Sequence, residues 1–227
     1  VPWKPIDADR AIPWVEARLS MSLARMQAEA LRMAIRSKVF VITGGPGVGK
    51  TTLLKVAAGL LAPAAGRVDR PRRIGFVFQD DRLLPWRTVA ENTALPLFYA
   101  DTSRKSSLCF AQYLLAEAGL AGHEGKLPAE LSGGMKRRAT LARCFARIPD
   151  AIFLDEPFTG LHREARAALW QMFVRLLSLH PVPVVVVTHF PEEITAHHAC
   201  RLYTLAGRPA VLRVETGPKP RGQTRTP

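Results

Sequence analysis

Four short apolar stretches punctuate the chain: "VFVIT" (39–43), "IGFVF" (74–78), "AIFLD" (151–155) and "VPVVVVTH" (182–189). Each is β-branched, aliphatic or aromatic at nearly every position. A strand with one wet face alternates apolar and polar residues, so uninterrupted apolar runs of this length predict strands covered on both faces. "RLYTL" (201–205) makes a fifth. Between them the apolar residues recur at three- and four-residue steps. That spacing predicts helices in "KTTLLKVAAGLL" (50–61), "SSLCFAQYLLAEAGL" (106–120) and "REARAALWQMFVRLLSLH" (163–180). Strands alternating with helices predict an α/β fold with a parallel sheet flanked by helices. Ligands of such sheets bind at the carboxyl ends of the strands.

The ends of the chain read differently. Residues 1–38, including "RAIPWVEARLSMSLARMQAEALRMAIRSK", carry helical spacing and form an atypical helical N-terminal segment. Residues 216–227, "TGPKPRGQTRTP", are polar and rich in Pro and Gly, which predicts a disordered tail. The segment from 79 to 148 is largely helical, with a Pro-broken loop at "DDRLLPWRT" (80–88).

Chemistry gathers at the strand ends. "GGPGVGKTT" fits G-x-x-x-x-G-K-[ST] between a strand and a helix, the context this phosphate-binding loop requires. Gly44, Gly45, Pro46, Gly47, Val48 and Gly49 form a cradle whose backbone N–H groups converge on phosphate oxygens, at a helix N-terminus of favourable potential. Lys50 is placed to reach the β- and γ-phosphates, and the hydroxyl of Thr51, followed by Thr52, to ligate Mg²⁺. Asp155 ends a buried strand, where a carboxylate is costly unless it serves a metal or a charge partner. Its neighbour Glu156 can polarise an attacking water. Together the two motifs predict a nucleoside triphosphatase.

"LSGGMKRR" (131–138) raises a puzzle. Helical spacing follows it, so Lys136, Arg137 and Arg138 fall in a first helical turn. Cations there are unfavourable by a few tenths to about 1 kcal/mol each, because the N-terminus carries partial positive charge. An anion docked at that end removes the misfit. One chain already holds a complete cradle at 44–52, so the economical arrangement is two chains head to tail. Each then lends Ser132, Gly133 and Gly134 to the other's triphosphate.

These residues, in this order, resemble the ATPase subunit of an ATP-binding cassette (ABC) transporter. The signature sequence of that family matches Leu131–Met135, its Q-loop glutamine matches Gln79, and its switch histidine matches His189. "VFQDDRLLPWRTVAENTALPL" is similar to the matching segment in importers of nitrate, sulfonate and taurine. The resemblance implies a P-loop NTPase core at 39–78 and 149–215, with an inserted helical subdomain at 79–148. It implies ATP hydrolysis to ADP and phosphate with Mg²⁺ held by Thr51, Gln79 and Asp155, and catalysis by Glu156, His189 and Gln79. It further implies a homodimer through the nucleotide sites and membrane permease subunits docked on the 80–90 segment. A periplasmic substrate-binding protein then acts indirectly, and the chain sits at the cytoplasmic face of the cell membrane as a peripheral subunit.

Composition adjusts this picture slightly. Lys plus Arg is 32 against 19 for Asp plus Glu, a net charge of +13, which suits anionic partners. The charge is spread along the chain, which argues against nucleic acid as a partner. Cys109, Cys144 and Cys200 lie far apart in no CxxC pattern, as expected of a reducing compartment without disulfides or a zinc site. The longest apolar stretch, "VVVV" at 184–187, is strand-sized, and "VPWKPIDADR" lacks the apolar core of a signal peptide.

Two departures from the family stand out, with a minor third. His162 occupies the place of the D-loop aspartate and, as the minor one, Arg137 stands where a glutamine is common in the signature helix. Residues 1–52 resemble instead the start of a superfamily 1 DNA helicase, with Gln27 in the place of an adenine-contacting glutamine. This reads as a fusion, natural or engineered, joined within about 44–55. Two further readings follow: a nucleic-acid-associated ATPase, and a nucleotide-binding module that does not hydrolyse.

Overall fold

The computed structural model describes residues 39–66, 68–69, 71–100, 102–195, 200–206 and 211–215. The expectations for 1–38, including Gln27, and for the 216–227 tail lie outside the described residues.

Among the described residues six strands form one sheet: β1 (Val39–Thr43), β2 (Ile74–Val77), β3 (Ala151–Asp155), β4 (Val184–Val187), β5 (Arg201–Ala206) and β6 (Val211–Glu215). Their spatial order is β2-β3-β4-β1-β5-β6. The first five run parallel and β6 pairs antiparallel with β5, which makes the sheet mixed at that edge. β6 has no counterpart in the sequence reading, because "VLRVE" is short and half polar.

The apolar runs are explained by cover on both faces. Val39, Val41, Ile152, Leu154, Val184 and Val186 point into one core, and Ile42, Phe153 and Val187 into the other. The larger core is roofed by α5 (Arg163–Leu179), whose Leu169, Trp170, Met172, Phe173 and Leu176 are buried. The smaller one is closed by α1 (Lys50–Ala57) through Leu54, with Ala58 just beyond. That helix stops at Ala57, short of the predicted residue 61, and the chain turns through Gly59 at φ +70°.

All the helical chain between β2 and β3 is one excursion: α2 (Val89–Ala94), α3 (Arg104–Glu117) and α4 (Gly133–Phe145), which pack on one another. α2 begins with a capping box, Thr88 and Glu91 exchanging side-chain and backbone hydrogen bonds. α4 also lies directly against β2, where a Cβ on Gly75 would sit 2.7 Å from the Cys144 carbonyl oxygen. A last short helix, α6 (Glu192–Thr195), follows β4.

Candidate functional site

Strand register assembles the site. Val187 is the partner of both Ile42 and Asp155, so three strands end at one level. Thr188 N–H then donates to the Ile42 carbonyl (3.1 Å) and Glu156 N–H to the Val187 carbonyl (2.9 Å). The glycine loop, Glu156 and His189 therefore leave the sheet side by side.

Gly44 is the tightest point of the loop. Its φ is +149°, and a Cβ there would lie 2.3 Å from the Leu205 carbonyl oxygen, so only glycine lets β5 approach this closely. α1 starts at Gly49 with no side-chain cap and no acid in its first turn. Its first N–H groups thus face outward with a positive potential, the arrangement that takes a phosphate. Buried Lys50 crosses the loop: its ammonium donates to the carbonyls of Gly44 (2.9 Å) and Gly45 (3.0 Å) and lies 3.4 Å from His189 Nε2.

Across the loop, Thr51 Oγ1 donates to Asp155 Oδ1 at 2.9 Å. Asp155 is 2% exposed, and burial holds its carboxyl above the usual carboxylate range despite that bond and the nearby Lys55 and Lys50. Glu156 is 6% exposed and also titrates high, from burial first, against the pull of His189 and Lys50. Its backbone sits at φ +48°, the left-handed region, which is costly for a non-glycine residue and here turns the carboxylate toward His189. Oε2 accepts the His189 N–H at 3.2 Å, and Oε1 lies 3.2 Å from His189 Nε2. A hydroxyl, two carboxylates of raised pKa and the Lys50 ammonium meet at one end of the sheet, an arrangement suited to a polyphosphate with a divalent cation and a water to be deprotonated.

Gln79, by contrast, is exposed just beyond β2, and the structure secures its backbone: the carbonyl accepts from Arg137 at 2.6 Å. The Ser132–Gly134 tip stands apart from the glycine loop. Ser132 caps α4, its Oγ accepting from Met135 N–H at 3.3 Å, which leaves the hydroxyl proton to donate outward. A Cβ on Gly133 or Gly134 would meet nothing within 4 Å among the described residues.

The cation puzzle has a different answer from the one expected. α4 begins at Gly133, so Arg137 and Arg138 fall in the second turn, and both are bonded within the chain. Arg137 donates to Phe78 and Gln79 carbonyls, and Arg138 to the Ala118 carbonyl (3.0 Å). They need no external anion; sequence spacing alone could not show carbonyls brought in by distant loops. Sequence reasoning also missed Asn92. Buried in α2, it accepts from Leu84 N–H (2.7 Å) and donates to the carbonyls of Leu84, Arg87 and Thr88. It stiffens the loop that carries Trp86, 71% exposed. At the D-loop position His162 caps α5, with Nδ1 2.9 Å from Glu164 Oε2.

Residues 31–159 match the ABC transporter family. The chain is 41% identical over 191 residues, 84% of its length, to the aliphatic sulfonates import ATP-binding protein SsuB 3 of Paraburkholderia xenovorans. The chain belongs to the ABC transporter family. As a member it is an ATP-binding, ATP-hydrolysing cassette. It is also 42% identical over 161 residues, 67% of its length, to the uncharacterized ABC transporter ATP-binding protein YtlC of Bacillus subtilis. The matches span 72% of SsuB 3 and 62% of YtlC. Among solved structures, the cassette superposes on MJ0796, a dimeric ATP-binding cassette in a post-hydrolysis state bound to ADP and Pi. The TM-score is 0.63 at 29% identity, over 74% of this chain and 80% of that one. The family match begins at residue 31, ahead of 44–55. A helicase-derived start joined there finds no support.

Proposed function

We propose that this cassette is the motor subunit of an importer for a small organic anion of the aliphatic sulfonate class. Two copies close on two nucleotides and drive separate membrane subunits. The convergence of Lys50, Thr51, Asp155, Glu156 and His189 at one sheet edge, with Ser132 bonded instead to its own helix, supports this reading. A site so divided is completed by a second copy. The open space around Gly133 and Gly134 supports this, since nothing among the described residues requires glycine there.

In this reading the glycine loop and Lys50 hold the β- and γ-phosphates, and Ser132, Gly133 and Gly134 of the second copy cover the γ-phosphate. Thr51, Asp155 and Gln79 fit Mg²⁺: a hydroxyl, a carboxylate and an amide oxygen are hard donors suited to it. When bound it neutralises charge building on the phosphate oxygens. Glu156 accepts a proton from water as the water oxygen attacks the γ-phosphorus. The bond from that phosphorus to the bridging oxygen breaks, ADP leaves, and His189 holds the phosphate oxygens through Nε2. The raised pKa of Glu156 suits it to take that proton. His162 in place of an aspartate bears on how the two sites communicate.

The docking face for a permease is the stiffened loop with Trp86, together with Tyr99, 83% exposed. Large exposed aromatics on a rigid loop are typical anchors of an interface. Such a subunit works at the cytoplasmic face; among the described residues no helix is long and apolar enough to cross a membrane. A periplasmic binding protein then selects the substrate. The test is co-expression with candidate permease subunits. Co-purification lost on Trp86→Ala, and ATP turnover raised in the reconstituted complex by an aliphatic sulfonate, are expected. Turnover indifferent to every permease, or stimulated by DNA instead, overturns the transport reading.

A further inference from the structure

One face of α4 grips the chain that follows Gln79. Arg137 is buried, 6% exposed, and its fork spans two consecutive peptides: NH1 donates to the Phe78 carbonyl (3.1 Å) and NH2 to the Gln79 carbonyl (2.6 Å). NH1 also lies 3.2 Å from Asp81 Oδ1. One turn on, Thr140 donates to the Asp81 carbonyl at 3.1 Å. Arg143 donates to the carbonyls of Asp81 and Arg82, both at 2.8 Å. The gripped segment is itself folded tightly, with Arg82 at φ +47° and its guanidinium 3.7 Å above the Phe78 ring.

These are unlike ordinary helix contacts. Three donors at three-residue spacing seize backbone carbonyls, so the helix follows the path of the peptide chain itself. An arginine fork fixes the orientation of the two peptides it bridges, and a glutamine could reach only one. The same helix carries Ser132 at its tip, five residues from Arg137, about 7.5 Å along a rigid rod. Gln79 follows β2 by two residues, and β2 pairs with β3, the strand that ends in Asp155.

We propose that Arg137 is a positioning residue that makes the Gln79 segment and the Ser132 tip move as one body. Nucleotide held at a copy's own sheet edge then sets the angle at which that copy offers its tip to the other. The idea rests on the two-copy site proposed above. It assigns a role to a residue whose departure from glutamine looked minor in the sequence. Asp81, half-buried beside Arg137, steadies the fork, while the carbonyl bonds set the path of the segment.

The test uses the full chain with MgATP and compares Arg137→Gln, Arg137→Lys and Asp81→Asn. Three quantities are read: nucleotide affinity of the separate copies, steady-state kcat and KM, and ATP-driven dimerisation by sedimentation in a Glu156→Gln background. Arg137→Gln is expected to leave nucleotide affinity within about threefold, while kcat and the dimer association constant each fall about tenfold or more. Arg137→Lys should recover part of both. Asp81→Asn, which leaves α4 intact, should show the same split at about threefold, and decides the matter should Arg137→Gln fail to fold. Parent values of kcat and dimerisation in a cooperatively melting Arg137→Gln overturn the proposal. So does a loss of nucleotide affinity equal to the loss of dimerisation, the mark of plain structural damage. Failure of Glu156→Gln to dimerise with Arg137 intact removes the two-copy site as well; equal dimerisation with either residue at 137 removes only the role of Arg137.

Discussion

Glu156 and His189 hold each other at two points. The backbone N–H of His189 donates to one carboxylate oxygen at 3.2 Å, and its Nε2 lies 3.2 Å from the other. The same Nε2 is 3.4 Å from the Lys50 ammonium. One ring nitrogen cannot donate to the carboxylate and accept from the ammonium at once, so its tautomer decides which neighbour it serves. The imidazole therefore stands between the carboxylate and the cation and can serve either.

Replacing the acceptor separates binding from chemistry. Glu156→Gln keeps the shape and the backbone bond but cannot take a proton. Turnover is expected to fall by about 10²-fold or more, with nucleotide affinity retained. Single-turnover phosphate release beside equilibrium nucleotide binding checks it; turnover near the parent rate assigns the base elsewhere.

The raised pKa of Glu156 gives a signature in pH. Proton acceptance requires the ionised carboxylate, so kcat should decline on the acid side through a pKa above the ordinary glutamate range. Stability moves in the opposite sense. The folded chain binds this proton more tightly than the unfolded chain, so native stability from it is full below the unfolded pKa and is lost as pH rises through the folded one. Glu156→Gln should thus raise Tm at about pH 8 by roughly 2–4 °C, about 1 kcal/mol, and the gain should vanish in acid. Thermal melts of both proteins across pH measure it, and an equal gain at all pH values contradicts it.

Gly133 and Gly134 should show opposite effects on stability and activity. Alanine fits at either position within the chain and favours helix by up to about 1 kcal/mol over glycine. Each alanine variant is expected to melt no lower than the parent, yet turn over about tenfold more slowly, because the added methyl meets the second copy's nucleotide. Melting and turnover on the same preparations decide; unchanged turnover argues that the tip meets no ligand.

Gly44→Ala should fail for a reason internal to one copy. The methyl would collide with the Leu205 carbonyl oxygen, which a β-sheet cannot yield easily. A stability loss of roughly 2–3 kcal/mol with loss of nucleotide binding is expected, read by denaturant unfolding and nucleotide titration. Gly47→Ala, with open space around it but φ at +74°, should cost less.

How much of this was legible beforehand follows a physical division. Strand cores were legible because a β-branched run buried on both faces leaves a local pattern: 39–43 and 151–155 match to the residue. The glycine loop, Asp155 and Glu156 could be placed at strand ends beforehand because each belongs to a contiguous stretch that begins where a strand stops. Helix ends were less so, since Ala57 and Gly133 mark where turns and caps take over from periodicity. Tertiary structure alone decided the rest. It brought His189 to Glu156 across 33 residues and Phe78 to Arg137 across 59. Arg137 and Arg138, which read as part of an unsatisfied helix end, were misread for the same reason. A backbone carbonyl is present in every residue and leaves no trace in the letters, so a partner of that kind is visible only once the chain has folded around it.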